Sequence, residues 1–146
     1  MIKIHFCRSR TLSGYFIQAA TFSRWNHVAI EVSGLVYDST FKNGVAWRTP
    51  SEFMRSYDEI KTVEIEVPNE LGVLLFLESQ LGKKYDWRPL VALPFRANWN
   101  DKGRWFCSEL ATEALRKGEL HVLDKLLTAW RVTPRDLDIW AYSYGS

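Results

Sequence analysis

A cysteine, a histidine and an aspartate in this chain have the types and settings for nucleophilic chemistry. Cys107 stands where Gly103-Arg104-Trp105-Phe106-Cys107-Ser108-Glu109-Leu110 runs from a polar loop into a helix. Leu110, Ala111, Ala114 and Leu115 follow it at helical spacing, with Ser108, Glu109, Thr112 and Glu113 on the other side. In a first helical turn, unpaired backbone N–H groups and the positive end of the helix dipole favour a thiolate, and the thiolate is the nucleophile. Read alone, the same window also fits a small buried cysteine packed like an alanine.

A thiol nucleophile needs a base, and a base needs an orienting group. Asn26-His27-Val28-Ala29-Ile30-Glu31-Val32 alternates as a strand. Ser33-Gly34 is a two-residue turn, and Leu35-Val36-Tyr37-Asp38-Ser39-Thr40 returns as the second arm of a hairpin. The turn sets Val32 opposite Leu35, so Ala29 opposes Asp38 and His27 opposes Thr40. Asp38 then shares the face of His27 as its diagonal neighbour, roughly 7–8 Å away along the backbone and closer through side chains. Glu31 shares that face but lies roughly 13 Å along the strand. Of the two acids, Asp38 is the one able to hold the imidazole and leave its other nitrogen for a thiol. Ala29 leaves room above that face.

The elements that must position these groups are legible in outline. Ile2, Ile4 and Phe6 alternate in a first strand. A helix opens at Ser13-Gly14 with Phe16, Ile17, Ala20 and Phe22 as its apolar face. Gly44–Arg48 reads as a short strand, and Thr49-Pro50-Ser51-Glu52 as a cap with proline in the first turn. Thr62–Val67 is a further strand. A helix after Asn69 is expected to bury Leu71, Leu74, Leu77 and Leu81 and to leave Glu78 and Gln80 to solvent. Pro89 starts and Pro94 ends a short helix, and Thr133-Pro134-Arg135-Asp136 caps the last one. Cys7, in a strand and without helix-terminus activation, reads as structural, and His121 as a surface residue. His5 and Cys7 share a strand face, but no third metal ligand accompanies them.

The totals bound the function. The chain has 146 residues, enough for a single domain spanning 1–146, with 47% hydrophobic and 25% charged residues. A net charge of +2, with no block of like charge, gives no footprint for nucleic acid. Two cysteines do not make a disulfide framework. The start reads as a strand and not as a signal peptide, so the default location is cytoplasmic, with lysis or another route needed for outside delivery. No apolar run is long enough to span a membrane. There is no glycine-rich phosphate loop, no paired Cys-x-x-Cys, no zinc helix and no serine-hydrolase elbow, and no cofactor or metal is called for.

The ordered set resembles the papain-like NlpC-type superfamily, in its circularly permuted branch, where the histidine strand precedes the cysteine helix. Asn26-His27-Val28-Ala29-Ile30 resembles the histidine strand, with Asp38 at the third polar position, where histidine, asparagine, glutamine or glutamate is more familiar. Gly82-Lys83-Lys84-Tyr85 resembles the Gly-x-x-Tyr segment, Trp105-Phe106-Cys107-Ser108-Glu109-Leu110 the nucleophile helix, and Thr133–Leu137 a closing segment. The resemblance implies an α+β fold with an antiparallel sheet packed against the nucleophile helix. It further implies Cys107 as nucleophile, His27 as base, Asp38 as orienter, and Tyr85 and Trp105 at the oxyanion or substrate site. The implied reaction is thiol hydrolysis of an amide bond, with a small peptide or acyl substrate and peptidoglycan-type fragments as one possibility. Acyl transfer or thioester chemistry on lipid-like acyl groups, and an inactive papain-like domain used for binding, are the other two readings.

Overall fold

The computed structural model describes residues 1–88, 103–123 and 129–144. The short helix expected after Pro89, the loop 98–102 and most of the segment leading to 130 lie outside the described residues.

Five antiparallel strands form the sheet: β1 (Ile2–Arg8), β2 (His27–Val32), β3 (Leu35–Thr40), β4 (Gly44–Arg48) and β5 (Glu59–Ile65), in spatial order β4-β3-β2-β1-β5. The hairpin has the expected register, with Val32 opposite Leu35 and Ile30 opposite Tyr37. Ser33 and Gly34 both take positive φ, 52° and 78°, as a two-residue turn matched to strand twist requires. A parallel pair, β6 (Lys84–Tyr85) and β7 (Arg104–Trp105), lies beyond β4. Gly44, at φ +64°, permits this approach: a Cβ there would meet the Lys83 carbonyl oxygen at 2.3 Å. The Val45 N–H donates to that carbonyl at 2.8 Å and fixes the segment that carries Tyr85.

The helices are α1 (Leu12–Thr21), α2 (Pro50–Met54), α3 (Glu70–Gln80), α4 (Cys107–Lys117) and α5 (Pro134–Tyr144), with a 3-10 turn at Ala129–Arg131. The two proline caps form as read. Thr49 and Glu52 make a reciprocal capping box, and Thr133 and Asp136 do the same for α5.

One sheet face carries Ile4, Phe6, Val28, Ile30 and Tyr37 and packs on Leu110, Ala111, Ala114 and Leu115 of α4. The other carries Cys7, Ala29 and Val36 beneath Phe53 of α2, with Tyr57 and Ile60 at its margin. The room above Ala29 is therefore taken by α2. The helix that starts at Cys107 crosses the opposite face.

Three helix faces differ from their sequence pattern. In α4, Ser108, Glu109 and Thr112 are buried along with the apolar residues. Their polar atoms are satisfied locally: the Ser108 hydroxyl donates to the Val132 carbonyl at 2.6 Å, and that of Thr112 to the Ser108 carbonyl at 2.7 Å. In α3 the buried residues are Val73, Leu77 and Gln80, while Leu71 is exposed. Gln80 turns inward because its side-chain oxygen accepts from the Trp105 indole N–H at 2.9 Å and from the Lys83 ammonium at 2.6 Å. Of the apolar face expected for α1, Phe16 is 66% and Phe22 83% exposed, while Ile17 and Ala20 are half-buried; Leu12, outside that face, is 91% exposed.

Candidate functional site

His27 opens β2, and the segment before it is pinned. The Asn26 N–H donates to the Cys7 carbonyl at 3.0 Å, and its side-chain amide bonds Ser9 in both directions. From there the His27 Nε2 meets Asp38 Oδ2 at 2.8 Å, so the aspartate chosen by hairpin register is the one that holds the ring. Glu31 is engaged elsewhere, with Lys3 at 2.8 Å and His5 at 3.0 Å.

Nδ1 is the ring nitrogen left over, and the Cys107 thiol is close enough to the imidazole to raise its proton affinity. The two residues meet although their elements pack on opposite faces. Cys107 is the first residue of α4 and His27 the first of β2, so the contact forms at the end of the sheet. Burial alone lowers the proton affinity of His27. The hydrogen bonds and charges of Asp38 and Cys107 outweigh it and carry the imidazole up to about 9.

The start of α4 has no N-cap side chain, since Phe106 occupies that position. Glu109 stands in the first turn with the Phe106 backbone N–H near its carboxyl. Burial is the main cause that brings its carboxyl to about 7; the Phe106 N–H opposes this, and Asp86 and Glu113 add to it. The pattern Phe106-x-x-Glu109 carried this signal, but Glu109 read as a solvent-facing residue.

From the sequence Cys7 reads as structural, and Arg48 and Tyr57 are not singled out. Cys7 sits directly across from His27 on β1. Burial, with the charges of Asp38 and Cys107 added, pushes its thiol well above the ordinary range, in keeping with a structural cysteine. Arg48, at the end of β4, pairs with the same Asp38 Oδ2 that meets His27. Tyr57 stacks on the imidazole, ring centroids 5.3 Å apart and planes within 12°.

Tyr85 packs with Phe106 and Cys107. Burial first, then the charge of Cys107, raises its phenol far above the usual range, so the hydroxyl keeps its proton and remains a donor. Trp105 is placed differently. Its indole lies on α3, against Phe76 at 5.7 Å and bonded to Gln80, while its carbonyl accepts from Ser39 and Asp86. It braces β7 and is not among the described residues around the cleft. Trp25 is core, with its N–H on Asp138 at 3.0 Å.

A cleft of about 560 Å³ opens onto His27, Tyr57 and Tyr85. Its walls are Leu12, Phe16 and Ile17 of α1, Phe41 of the β3–β4 turn, and Trp87. The lining accounts for Leu12 and Phe16 of α1, which face a groove instead of a core; Phe22 lies outside it. Cys107 lies behind this lining, 1% exposed, with Ile17 packed against its cluster.

Among solved structures, the chain is similar to one described as the metalloprotein yiiX from Escherichia coli O157:H7, DUF1105. The TM-score is 0.62 at 22% identity, over 82% of this chain and 67% of that one. The fold is papain-like α+β. No family model matches the chain, and no curated protein matches it in sequence. Among the described residues, no group of three or more His, Cys, Asp or Glu side chains is placed to hold a metal ion. His5 has both ring nitrogens engaged, with Thr62 at 2.9 Å and Glu31 at 3.0 Å, and His27 has Nε2 on Asp38. No described helix is long and apolar enough to cross a membrane.

Proposed function

We propose that this protein is a thiol hydrolase that works through an acyl-enzyme on Cys107. The observation that carries the reading is His27, which lines an apolar cleft, held by Asp38 at 2.8 Å and close to the buried Cys107 thiol. In the first half-reaction the Cys107 proton passes to His27 and the sulfur attacks the substrate carbonyl. The C–S bond forms and the C–N or C–O bond breaks. His27 gives its proton to the leaving group. In the second, water attacks the thioester, His27 takes a proton from it, and the C–S bond breaks to release the acid and restore the thiol. The Cys107 backbone N–H and the Tyr85 hydroxyl are the donors for the oxyanion.

The order of histidine strand before cysteine helix fits the permuted papain-like arrangement. The resemblance to permuted papain-like chains implies an amide bond, with peptidoglycan-type peptides as one substrate. The cleft favours a different acyl side. Leu12, Phe16, Ile17, Phe41 and Trp87 offer few partners to a polar peptide and much apolar contact to a lipid-like acyl group. We therefore favour an amide or ester whose acyl portion is apolar, with hydrolysis and transfer to another acceptor sharing the first step. The similar yiiX structure is titled a metalloprotein, but the described residues here do not present a ligand set, and no step is drawn through a metal.

The test is to offer medium-chain acyl esters and amides alongside muropeptides and to weigh the intact protein by mass spectrometry. An acyl adduct on Cys107 is expected from the apolar donors and is expected to be absent in Cys107→Ala. Adducts from muropeptides alone would overturn the assignment of the cleft. No adduct from any donor would favour a binding domain.

A further inference from the structure

We propose that Arg48, braced by Tyr57, is a positioning residue that divides the charge of Asp38 and so sets how strongly His27 holds its proton. This rests on the hydrolase reading for its purpose, though not for its geometry.

Asp38 is 2% exposed, and one of its oxygens, Oδ2, serves two partners: His27 Nε2 at 2.8 Å and the Arg48 guanidinium. A buried carboxylate shared between a fixed cation and an imidazole presents only part of its charge to each. Arg48 has no freedom to leave. Its guanidinium lies over the Phe53 ring at 5.1 Å and donates to the Ser56 hydroxyl at 3.2 Å, and Tyr57 packs on that same Phe53 ring with its phenol near the guanidinium. Tyr57 in turn covers one face of the His27 ring. The strand end and the residues that follow α2 thus form one clamp. The guanidinium fork fixes the carboxylate, and the phenol ring fixes the imidazole plane.

Other charged or titratable groups also face His27. Cys7 lies across on β1, Cys107 comes from α4, and Tyr85 lies at the cleft. Arg48 is a positive group held on Asp38 itself. Removing it leaves His27 as the carboxylate's remaining charged partner, so the imidazole must bind its proton more tightly. A tighter proton is harder to give to a leaving group, and turnover falls while the cleft is untouched.

The test follows His27 directly by side-chain NMR titration, which needs no substrate, and compares it with the pH profile of kcat/KM. In Arg48→Met, the His27 titration is expected to move up by roughly one unit. The basic limb of kcat/KM should move with it, and kcat should fall about 10–100-fold, the scale of a lost orienting partner, with KM little changed. Arg48→Lys keeps the charge without the fork, so its titration should return toward that of the unaltered protein. If Arg48→Met does not fold, Tyr57→Phe keeps the ring stack and removes the brace, and a smaller upward shift is expected. An unmoved or lowered His27 titration in a folded Arg48→Met or Tyr57→Phe protein overturns the inference. If these titrations behave as stated but Cys107 is never acylated, the hydrolase reading fails and the role of Arg48 stands.

Discussion

At the scale of single residues, the reliable information came from register. Once Ser33-Gly34 is a two-residue turn, Asp38 has to share a face with His27, and the 2.8 Å bond between them follows. What register does not carry is a contact between elements. Nothing in the spacing of Arg48 or Tyr57 tells that both close on the same pair, because their positions depend on how α2 folds over the sheet. Glu109 was hidden for a related reason: its polarity marked it as solvent-facing, while it is buried in the first turn of a helix whose N-cap is a phenylalanine. Its carboxyl binds its proton up to about 7 in the folded chain, above the ordinary 4.5. A carboxyl with a raised folded value contributes stability that is full below the unfolded value and is lost as pH rises through the folded one. Between about pH 5 and about pH 8, the urea midpoint of the natural chain should therefore fall more than that of Glu109→Gln. Parallel midpoints across that range would contradict the placement of this carboxyl.

At the scale of elements, the strands and the two proline caps were legible because each depends on local chemistry: alternation, a tight turn, a Thr-Pro-x-Glu or Thr-Pro-x-Asp box. The faces of α1, α3 and α4 were not. A pattern of apolar residues tells that a face is wanted by something, and core is the usual answer. In α1 the apolar residues line a cleft instead, and only Ile17 reaches the cluster around Cys107. That makes α1 the cover of the thiol. Ile17→Ala should speed alkylation of Cys107 by a small neutral reagent several-fold without shifting its pH dependence. An unchanged rate would mean that the reagent reaches the sulfur by a path that α1 does not control. In α3, Gln80 was assigned to solvent and is in fact the acceptor for Trp105, so the helix is oriented by an indole as well as by its leucines.

At the scale of the whole molecule, the papain-like arrangement answers the question that the sheet faces raise. Helix α4 and the His27–Asp38 pair belong to opposite faces, and a helix that begins at the end of the strands brings its first residue to the first residue of β2. The sequence order made such a meeting plausible through its resemblance to permuted papain-like chains. The path around the sheet end, and the cleft that the turn of Phe41 and the helix of Phe16 enclose, required three-dimensional closure. The central claim is that His27 takes the proton of Cys107. The most direct measurement is the rate of Cys107 alkylation against pH in the natural chain and in His27→Ala. The account predicts reaction already at about pH 6–7 in the natural chain, and reaction only above about pH 8, as for an ordinary cysteine, once His27 is removed. A natural chain that reacts only above about pH 8, or a His27→Ala profile that matches it, would contradict the account.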